Sequence, residues 1–159
     1  MDVNWFNVAV PIATFVLGFF TSRFTMSKAE RKNYEQTLYQ NANELIEKQR
    51  TAYDDFTQAL ARYVQENDPN MDNFVDIATT GDRYFLHLKM IAEATLANRV
   101  DSIVRDQTII PTLKDAIEKS LPKYYETLQE ISRKKGFKYD GVLERNNYES
   151  IYSAVEKYA

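Results

Sequence analysis

The feature that most constrains the fold of this chain is a regular spacing of mainly apolar side chains between residues 38 and 63. Successive members lie four and three positions apart in turn. They are Leu38, Ala42, Leu45, Gln49, Ala52, Phe56, Ala59 and Tyr63. This spacing places the side chains along one side of an α-helix, as in coiled coils and helical bundles. The sequence leaves open whether the seam closes within one chain or between chains.

The width of this apolar stripe distinguishes a coiled coil from a bundle. Ile46, Tyr53 and Leu60 broaden the stripe beyond the two positions per heptad that a strict coiled coil uses. A broader stripe is typical of a helix that packs into a globular core. The pattern therefore favours a long first helix that ends near residue 66 and belongs to a bundle.

A second helix is expected to follow before residue 110. It is expected to begin with Asp68 as its N-cap and Pro69 at its first position, because these residue types favour those positions. The poor helix formers of residues 79–82, Thr-Thr-Gly-Asp, predict a kink or break. Helical character is expected to resume through Val104, and a cap at residues 106–108 is expected to open the third helix.

The end of the third helix is the clearest boundary in the sequence. Pro122 is expected to kink this helix, unless Ser120 caps a fresh start. Three bases precede Gly136, and glycine commonly adopts the left-handed conformation that ends a helix. A loop over residues 137–146 and a short final helix are expected to follow.

The composition supports an all-α fold. Gly and Pro are scarce, at four each, and runs of β-branched residues are short. We expect a single N-terminal transmembrane helix followed by an antiparallel bundle of three long helices and a short C-terminal one. The predicted divisions are an anchor over residues 1–26, a polar juxtamembrane stalk over 27–36, and a cytoplasmic bundle over 37–159.

The anchor is predicted from residues 3–22, an uncharged run of twenty bounded by Asp2 and Arg23. A helix of that length covers about 30 Å, the thickness of a bilayer core. Basic residues follow the run and none precede it, so the C-terminal part is expected to be cytoplasmic and the N-terminus outside. The expected location is a bacterial inner membrane.

Two sets of residues in and beside this run are candidate sites. The first set shares one face of the expected span and could pack against another helix; its members are Asn7, Thr14, Gly18 and Ser22. The second set is basic and could contact lipid head groups; its members are Arg23, Lys28, Arg31 and Lys32. Topology alone would explain the second set equally well.

The residue types needed for most enzymatic chemistry are scarce. There is no Cys, and His87 is the one histidine, without the partners of a metal or catalytic site. No glycine-rich phosphate loop is present. Residues 51–130 carry eight bases and fourteen acids, a balance that disfavours nucleic-acid binding. We therefore expect no catalytic residue, metal, cofactor or small-molecule substrate.

Tyrosine is unusually frequent, with eleven in the chain. Tyrosine is enriched at protein interfaces because its side chain is large, rigid and amphipathic. Tyr148, Tyr152 and Tyr158 are therefore candidates for a partner-docking edge, although tyrosines also fill half-buried positions on bundles.

Three functions remain open from the sequence. The first is a membrane-tethered interaction module, an accessory, scaffold or sensor subunit that binds another protein or itself. The second is a membrane-active effector whose transmembrane helices oligomerise and perturb the bilayer. The third is an enzyme with a carboxylate or tyrosine site that no short motif reveals, and a deep pocket with two carboxylates of shifted pKa would favour it.

Overall fold

The computed structural model describes residues 27–66 and 68–159, and this part of the chain is all-helical, without strands. Three long helices and a short one make up the fold, so the predicted all-α class and helix order are confirmed here. The bounds are Lys28–Gln65 for α1, Met71–Leu96 for α2, residues 102–135 for α3 and Glu149–Tyr158 for α4.

Membrane location is the prediction that the structure overturns. Among the described residues, no helix is long and apolar enough to cross a membrane. The prediction of a single-pass protein with a cytoplasmic C-terminal domain is therefore corrected and not carried further. The long helices α1 and α2 both carry charged side chains along their length. Residues 3–22, which include Asn7, Thr14, Gly18 and Ser22, lie outside the described residues. Arg23 also lies outside them.

The chain divides into two units between Thr37 and Leu38. In the first unit, a reciprocal cap opens α1. The Glu30 backbone N–H donates to Ser27 Oγ at 3.2 Å, and the Ser27 backbone N–H donates to Glu30 Oε2 at 2.8 Å. Such a capping box satisfies two backbone donors that a helix start otherwise leaves free. The predicted division into anchor, stalk and bundle stays a prediction.

In the second unit, the apolar seam of α1 closes within one chain. Ala42, Ala52 and Ala59 are 0%, 2% and 2% exposed, so their side of α1 faces the other helices of the same molecule. Small side chains at these positions let helices approach closely. The question that the sequence left open, closure within or between chains, is thus answered for these residues.

The N-cap of α2 is Asn70 rather than the predicted Asp68. Asn70 Oδ1 accepts hydrogen bonds from the backbone N–H groups of Asp72 at 2.8 Å and Asn73 at 3.3 Å. Asn73 Oδ1 accepts from the Asn70 backbone N–H at 2.9 Å, which completes a capping box. Asparagine at both positions satisfies donors that Asp68 is two residues too early to reach.

The sequence of residues 79–82 predicts a kink or a break in the helix; the break is wrong, because α2 is continuous from Met71 to Leu96. Thr80 Oγ1 donates to the Asp76 carbonyl one turn earlier at 2.6 Å, which satisfies this buried hydroxyl inside the helix. Gly81 is buried and lies where another helix packs.

The connection between α2 and α3 lies earlier than predicted. Asn98 adopts a left-handed conformation with φ 54° just after α2 ends. Asp101 then caps α3, with its Oδ1 accepting from the backbone N–H groups of Ile103 at 2.9 Å and Val104 at 3.1 Å. The expected continuation of the second helix through Val104 and the expected cap at 106–108 are both wrong.

Two π-helical turns carry α3 past its prolines. The α-helical segments Ser102–Val104, Ile110–Asp115 and Leu121–Lys135 are joined by the π turns Arg105–Ile109 and Ala116–Ser120. Each π turn closes just before a proline, with Ile110 N–H donating to the Arg105 carbonyl and Leu121 N–H to the Ala116 carbonyl. The proline ring crowds the preceding turn, and a wider turn leaves more room for it. Ser120 makes no side-chain cap, so the helix does not restart there.

The second unit is an antiparallel bundle around one core. Arg62 at the end of α1 pairs with Asp76 near the start of α2 at 2.6 Å, and Lys135 at the end of α3 pairs with Asp68 at 3.0 Å. The largest fully buried side chains are Phe85, Ile77, Leu88, Leu113, Leu121, Leu128, Ile151 and Thr95. The predicted glycine cap of α3 is confirmed, because Gly136 has φ 71°.

Candidate interaction surface

Tyr124 of α3 is held tightly against α2. A Cβ atom added at Gly81 would lie 2.3 Å from Tyr124 Cε2, so only glycine leaves room for this ring. The Tyr124 hydroxyl lies 2.8 Å from the Ala78 carbonyl and 2.9 Å from Asp82 Oδ1, and it donates its proton to these acceptors. Burial and the neighbouring Asp82 carboxylate raise the pKa of Tyr124, which keeps the phenol a neutral donor.

A groove of about 190 Å³ lies between α1 and α3, with Tyr124 as part of its lining. We call it the α1–α3 groove. It is lined by Tyr53, Phe56, Thr57 and Leu60 of α1, Ile77 of α2, and Ser120, Lys123, Tyr124 and Thr127 of α3. The Phe56 and Tyr124 rings meet edge to face, with centroids 5.7 Å apart. Such aromatic contacts give the groove a fixed, mainly apolar surface.

The groove has one charged residue among those that line it in the described structure, Lys123. Its Nζ lies 3.0 Å from Glu126 Oε2, and both side chains are largely exposed. Exposed ion pairs contribute about 0–1 kcal/mol, so Lys123 can change partners at little cost. A carboxylate that approaches the groove would meet this ammonium group.

Apolar surface continues along α1 beyond the groove, towards the end of the helix. Tyr53 is 45% exposed and Val64 is 80% exposed, and Leu60 lies between them on the same side of the helix. Residues 53 and 64 are about 16 Å apart along the axis, since a helix rises about 1.5 Å per residue. This apolar strip is longer than a small ligand bound in the groove. Its length suits an elongated occupant such as a helix.

A second apolar surface lies on α2. Val75, Leu86 and Met90 are 50%, 53% and 41% exposed. Thr79 and Glu93, also exposed, share this side of the helix by their spacing. We call these five residues the α2 outer face. Leu86 and Met90 are one turn apart on this face, and adjacent exposed apolar side chains mark interaction surfaces more often than single scattered ones do.

The tyrosines predicted to form a docking edge lie in different environments. Tyr148 is 6% exposed, and its hydroxyl lies 3.0 Å from that of Tyr125. Tyr152 is half-buried beneath the Arg145 guanidinium, 4.6 Å from the ring centroid. A docking role for these residues stays a prediction.

Tyr158 is held by both charge and hydrogen bonding. The Arg105 guanidinium lies 4.4 Å from its ring centroid, and its hydroxyl donates to Asn98 Oδ1 at 3.1 Å. These contacts attach the end of α4 to the first turns of α3 and to the connection that precedes it.

The basic residues of the first unit that the structure describes are solvent-exposed. Lys28, Arg31 and Lys32 all lie on the first turns of α1. Arg31 pairs with Glu35 at 3.1 Å, one turn along the helix. Contact with lipid head groups stays an untested prediction for these three residues.

His87 is among the residues that line a cleft of about 360 Å³ between α1 and α2. Its Nδ1 is buried without a hydrogen-bond partner, whereas nearby Asp55 and Arg83 pair at 3.7 Å. The described residues contain no group of three or more His, Cys, Asp or Glu side chains placed to hold a metal ion. The mixed charges of this cleft favour no particular ligand.

Sequence reasoning missed both apolar surfaces. The groove unites residues of three helices that are up to 74 positions apart in the chain, from Tyr53 to Thr127, and no local pattern links them. The α2 outer face had a signal, since Val75, Leu86 and Met90 fall outside the spacing of the buried residues.

Comparison with known proteins finds no match of this chain to a family model, to a curated protein or to a solved structure.

Proposed function

We propose that this chain is a non-catalytic protein-interaction module whose partner docks at the α1–α3 groove. The observation that carries the proposal is the preformed apolar groove between α1 and α3, built around Phe56 and Tyr124. The proposal concerns the helical bundle and does not include the membrane tether that the sequence suggested.

The size of the groove favours a protein side chain over a free small molecule. Small-molecule sites usually enclose about 300–1,000 Å³. The groove holds about 190 Å³ and is continuous with exposed apolar surface at Tyr53 and Val64. A single large apolar side chain buried in a pocket, surrounded by weaker contacts, is the usual anchor of a protein interface.

The fixed lining lowers the entropic cost of binding. The Tyr124 ring is immobilised by Gly81 and by its hydrogen bonds to Ala78 and Asp82. A surface that is already ordered loses less conformational freedom when a partner docks. This arrangement supports a groove that is ready for binding before the partner arrives.

The test is site-specific photo-crosslinking of the full chain in the cells that naturally produce it. Thr57, half-buried in the groove lining, is replaced by the photoreactive residue p-benzoylphenylalanine. The matched control carries the same residue at Thr37, an exposed position of α1 outside the groove. We expect a discrete crosslinked protein adduct from position 57 and none from position 37. Equal labelling from both positions, or no adduct from position 57, would count against the proposal.

A further inference from the structure

Two surfaces of this chain complement each other. The α1–α3 groove is apolar and has Lys123 at its lining, while the α2 outer face presents Leu86 and Met90 with exposed Glu93 beside them. Leu86, Met90 and Glu93 follow one another at steps of four and three, so they share one side of α2. An apolar anchor with a nearby carboxylate is the chemistry that the groove would accept.

We propose that the occupant of the α1–α3 groove is the α2 outer face of a second copy of this chain. This inference rests on the proposed function and names the partner. In this docking, Leu86 or Met90 of the second copy enters the groove, and Glu93 of that copy approaches Lys123.

The volumes agree with this pairing. A cavity of about 150 Å³ lined by apolar side chains is large enough to hold benzene. The groove, at about 190 Å³, therefore has room for one leucine or methionine side chain. Both of these α2 residues are well exposed, at 53% for Leu86 and 41% for Met90, so docking would remove substantial apolar area from water.

The charges agree as well. In the described part of the chain, Lys123 forms an exposed pair with Glu126, which contributes little and can be exchanged for a pair with an incoming carboxylate. Rim pairs of this kind guide register and are weakened by salt. Self-association is therefore expected to weaken as the ionic strength rises.

The two surfaces lie on opposite sides of α2, which determines the kind of assembly. Ile77, in the groove lining, and Leu86, on the outer face, are separated by nine positions. At about 100° per residue this places them half a turn apart on the helix. A copy can thus use its groove and its outer face at the same time, so the contact is head-to-tail and generates a ring or an open filament.

The experiment is sedimentation velocity of the full chain over a range of concentrations. Thr127→Phe fills the groove, and Leu86→Glu places a charge on the outer face. Thr37→Phe and Val142→Glu are the matched controls, since both positions are exposed and lie outside the two surfaces. Thermal unfolding followed by circular dichroism checks that every variant is folded.

The wild type, the two surface variants and their mixture are expected to differ in mass. The wild-type chain and both controls are expected to show a mass that rises with concentration above the 18.6 kDa of one chain. Thr127→Phe alone and Leu86→Glu alone are expected to stay monomeric. An equimolar mixture of these two variants is expected to form a dimer and stop there, because it contains one intact groove and one intact face per pair.

A charge reversal gives an independent readout. Lys123→Glu is expected to weaken self-association by about tenfold, and Glu93→Lys in the same chain is expected to restore it. A monomeric mixture of the groove and face variants, or association unchanged by either variant, would overturn this inference. If the wild-type chain is monomeric while position 57 still crosslinks to a different protein, this inference is wrong and the proposed function stands.

Discussion

The ring of Tyr124 lies on the backbone of α2 at Gly81, where a Cβ atom would be 2.3 Å from Tyr124 Cε2. Glycine inside a helix costs about 1 kcal/mol relative to alanine. At this position the cost is offset by close packing and by the two acceptors that Tyr124 reaches, the Ala78 carbonyl and Asp82. The same contact shapes the lining of the α1–α3 groove.

Gly81→Ala is expected to destabilise the fold although alanine is the better helix former. Its methyl group would push against the Tyr124 ring, and overpacking of this kind costs about 1–3 kcal/mol. Urea unfolding measures the change in the free energy of unfolding. The control is Thr79→Ala, two positions away and exposed, where we expect a change within about 0.5 kcal/mol. A Gly81→Ala chain as stable as the wild type would show that the ring is not held in this place.

Tyr124→Phe is expected to lower the free energy of unfolding by about 1 kcal/mol. The substitution keeps the ring and removes one hydroxyl that donates to the Ala78 carbonyl and Asp82 Oδ1. Tyr39→Phe, at a position 53% exposed, is the control and is expected to have little effect. Equal effects of the two substitutions on urea unfolding would contradict a special role for the Tyr124 hydroxyl.

The sequence predicts the long helices well because their signals are local. The seam from Leu38 to Tyr63 follows helical periodicity, and Gly136 ends α3 with a residue type suited to a left-handed cap. Periodicity alone cannot show where a helix is interrupted, because small and polar residues can either break a helix or pack inside a continuous one. Gly81 suggested a break but provides a packing contact, since the deciding partner, Tyr124, is distant in the chain.

Local sequence signals also failed to predict the course of the third helix. Pro122 suggested a kink, because proline usually marks such a place. The structure keeps Pro111 and Pro122 inside α3 by placing a π turn before each one. The preceding cap at Asp101 was missed, because the apolar residues Val100 and Ile103 on either side of it continue the helical pattern.

Alkaline pH is expected to destabilise the bundle. Burial, followed by the neighbouring Tyr53, raises the pKa of Tyr84 from 10.0 to about 12. Below pH 10 the phenol is protonated in both the folded and the unfolded chain, so its contribution to stability is full. Between pH 10 and 12 the unfolded chain releases this proton and the folded chain keeps it, so stability falls as the pH rises.

The measurement is urea unfolding at a series of pH values from 8 upward, to about 12, for the wild type and Tyr84→Phe. Phenylalanine keeps the buried ring and cannot ionise, so the variant is expected to lose stability less steeply above pH 10. Tyr39→Phe serves as the exposed control. Parallel pH profiles for the wild type and Tyr84→Phe would show that this phenol is not protected by burial.

Asn70→Ala is expected to lower the free energy of unfolding by about 1 kcal/mol. The substitution removes the side-chain oxygen that accepts from the backbone N–H groups of Asp72 and Asn73. The matched control is Asn43→Ala, an exposed position inside α1, where alanine favours the helix. The cap assignment predicts opposite signs for the two variants in thermal unfolding, and two equal changes would contradict it.

The α1–α3 groove is proposed to hold a protein. The most direct test is the mass and stoichiometry of the complex that a C-terminally tagged full-length chain retains, compared with the Thr127→Phe and Thr37→Phe variants. Thr127 lines the groove and Thr37 does not. We expect the wild type and Thr37→Phe to retain a protein in fixed ratio, and the folded Thr127→Phe variant to lose it. A folded Thr127→Phe chain that retains the same complex would contradict the claim.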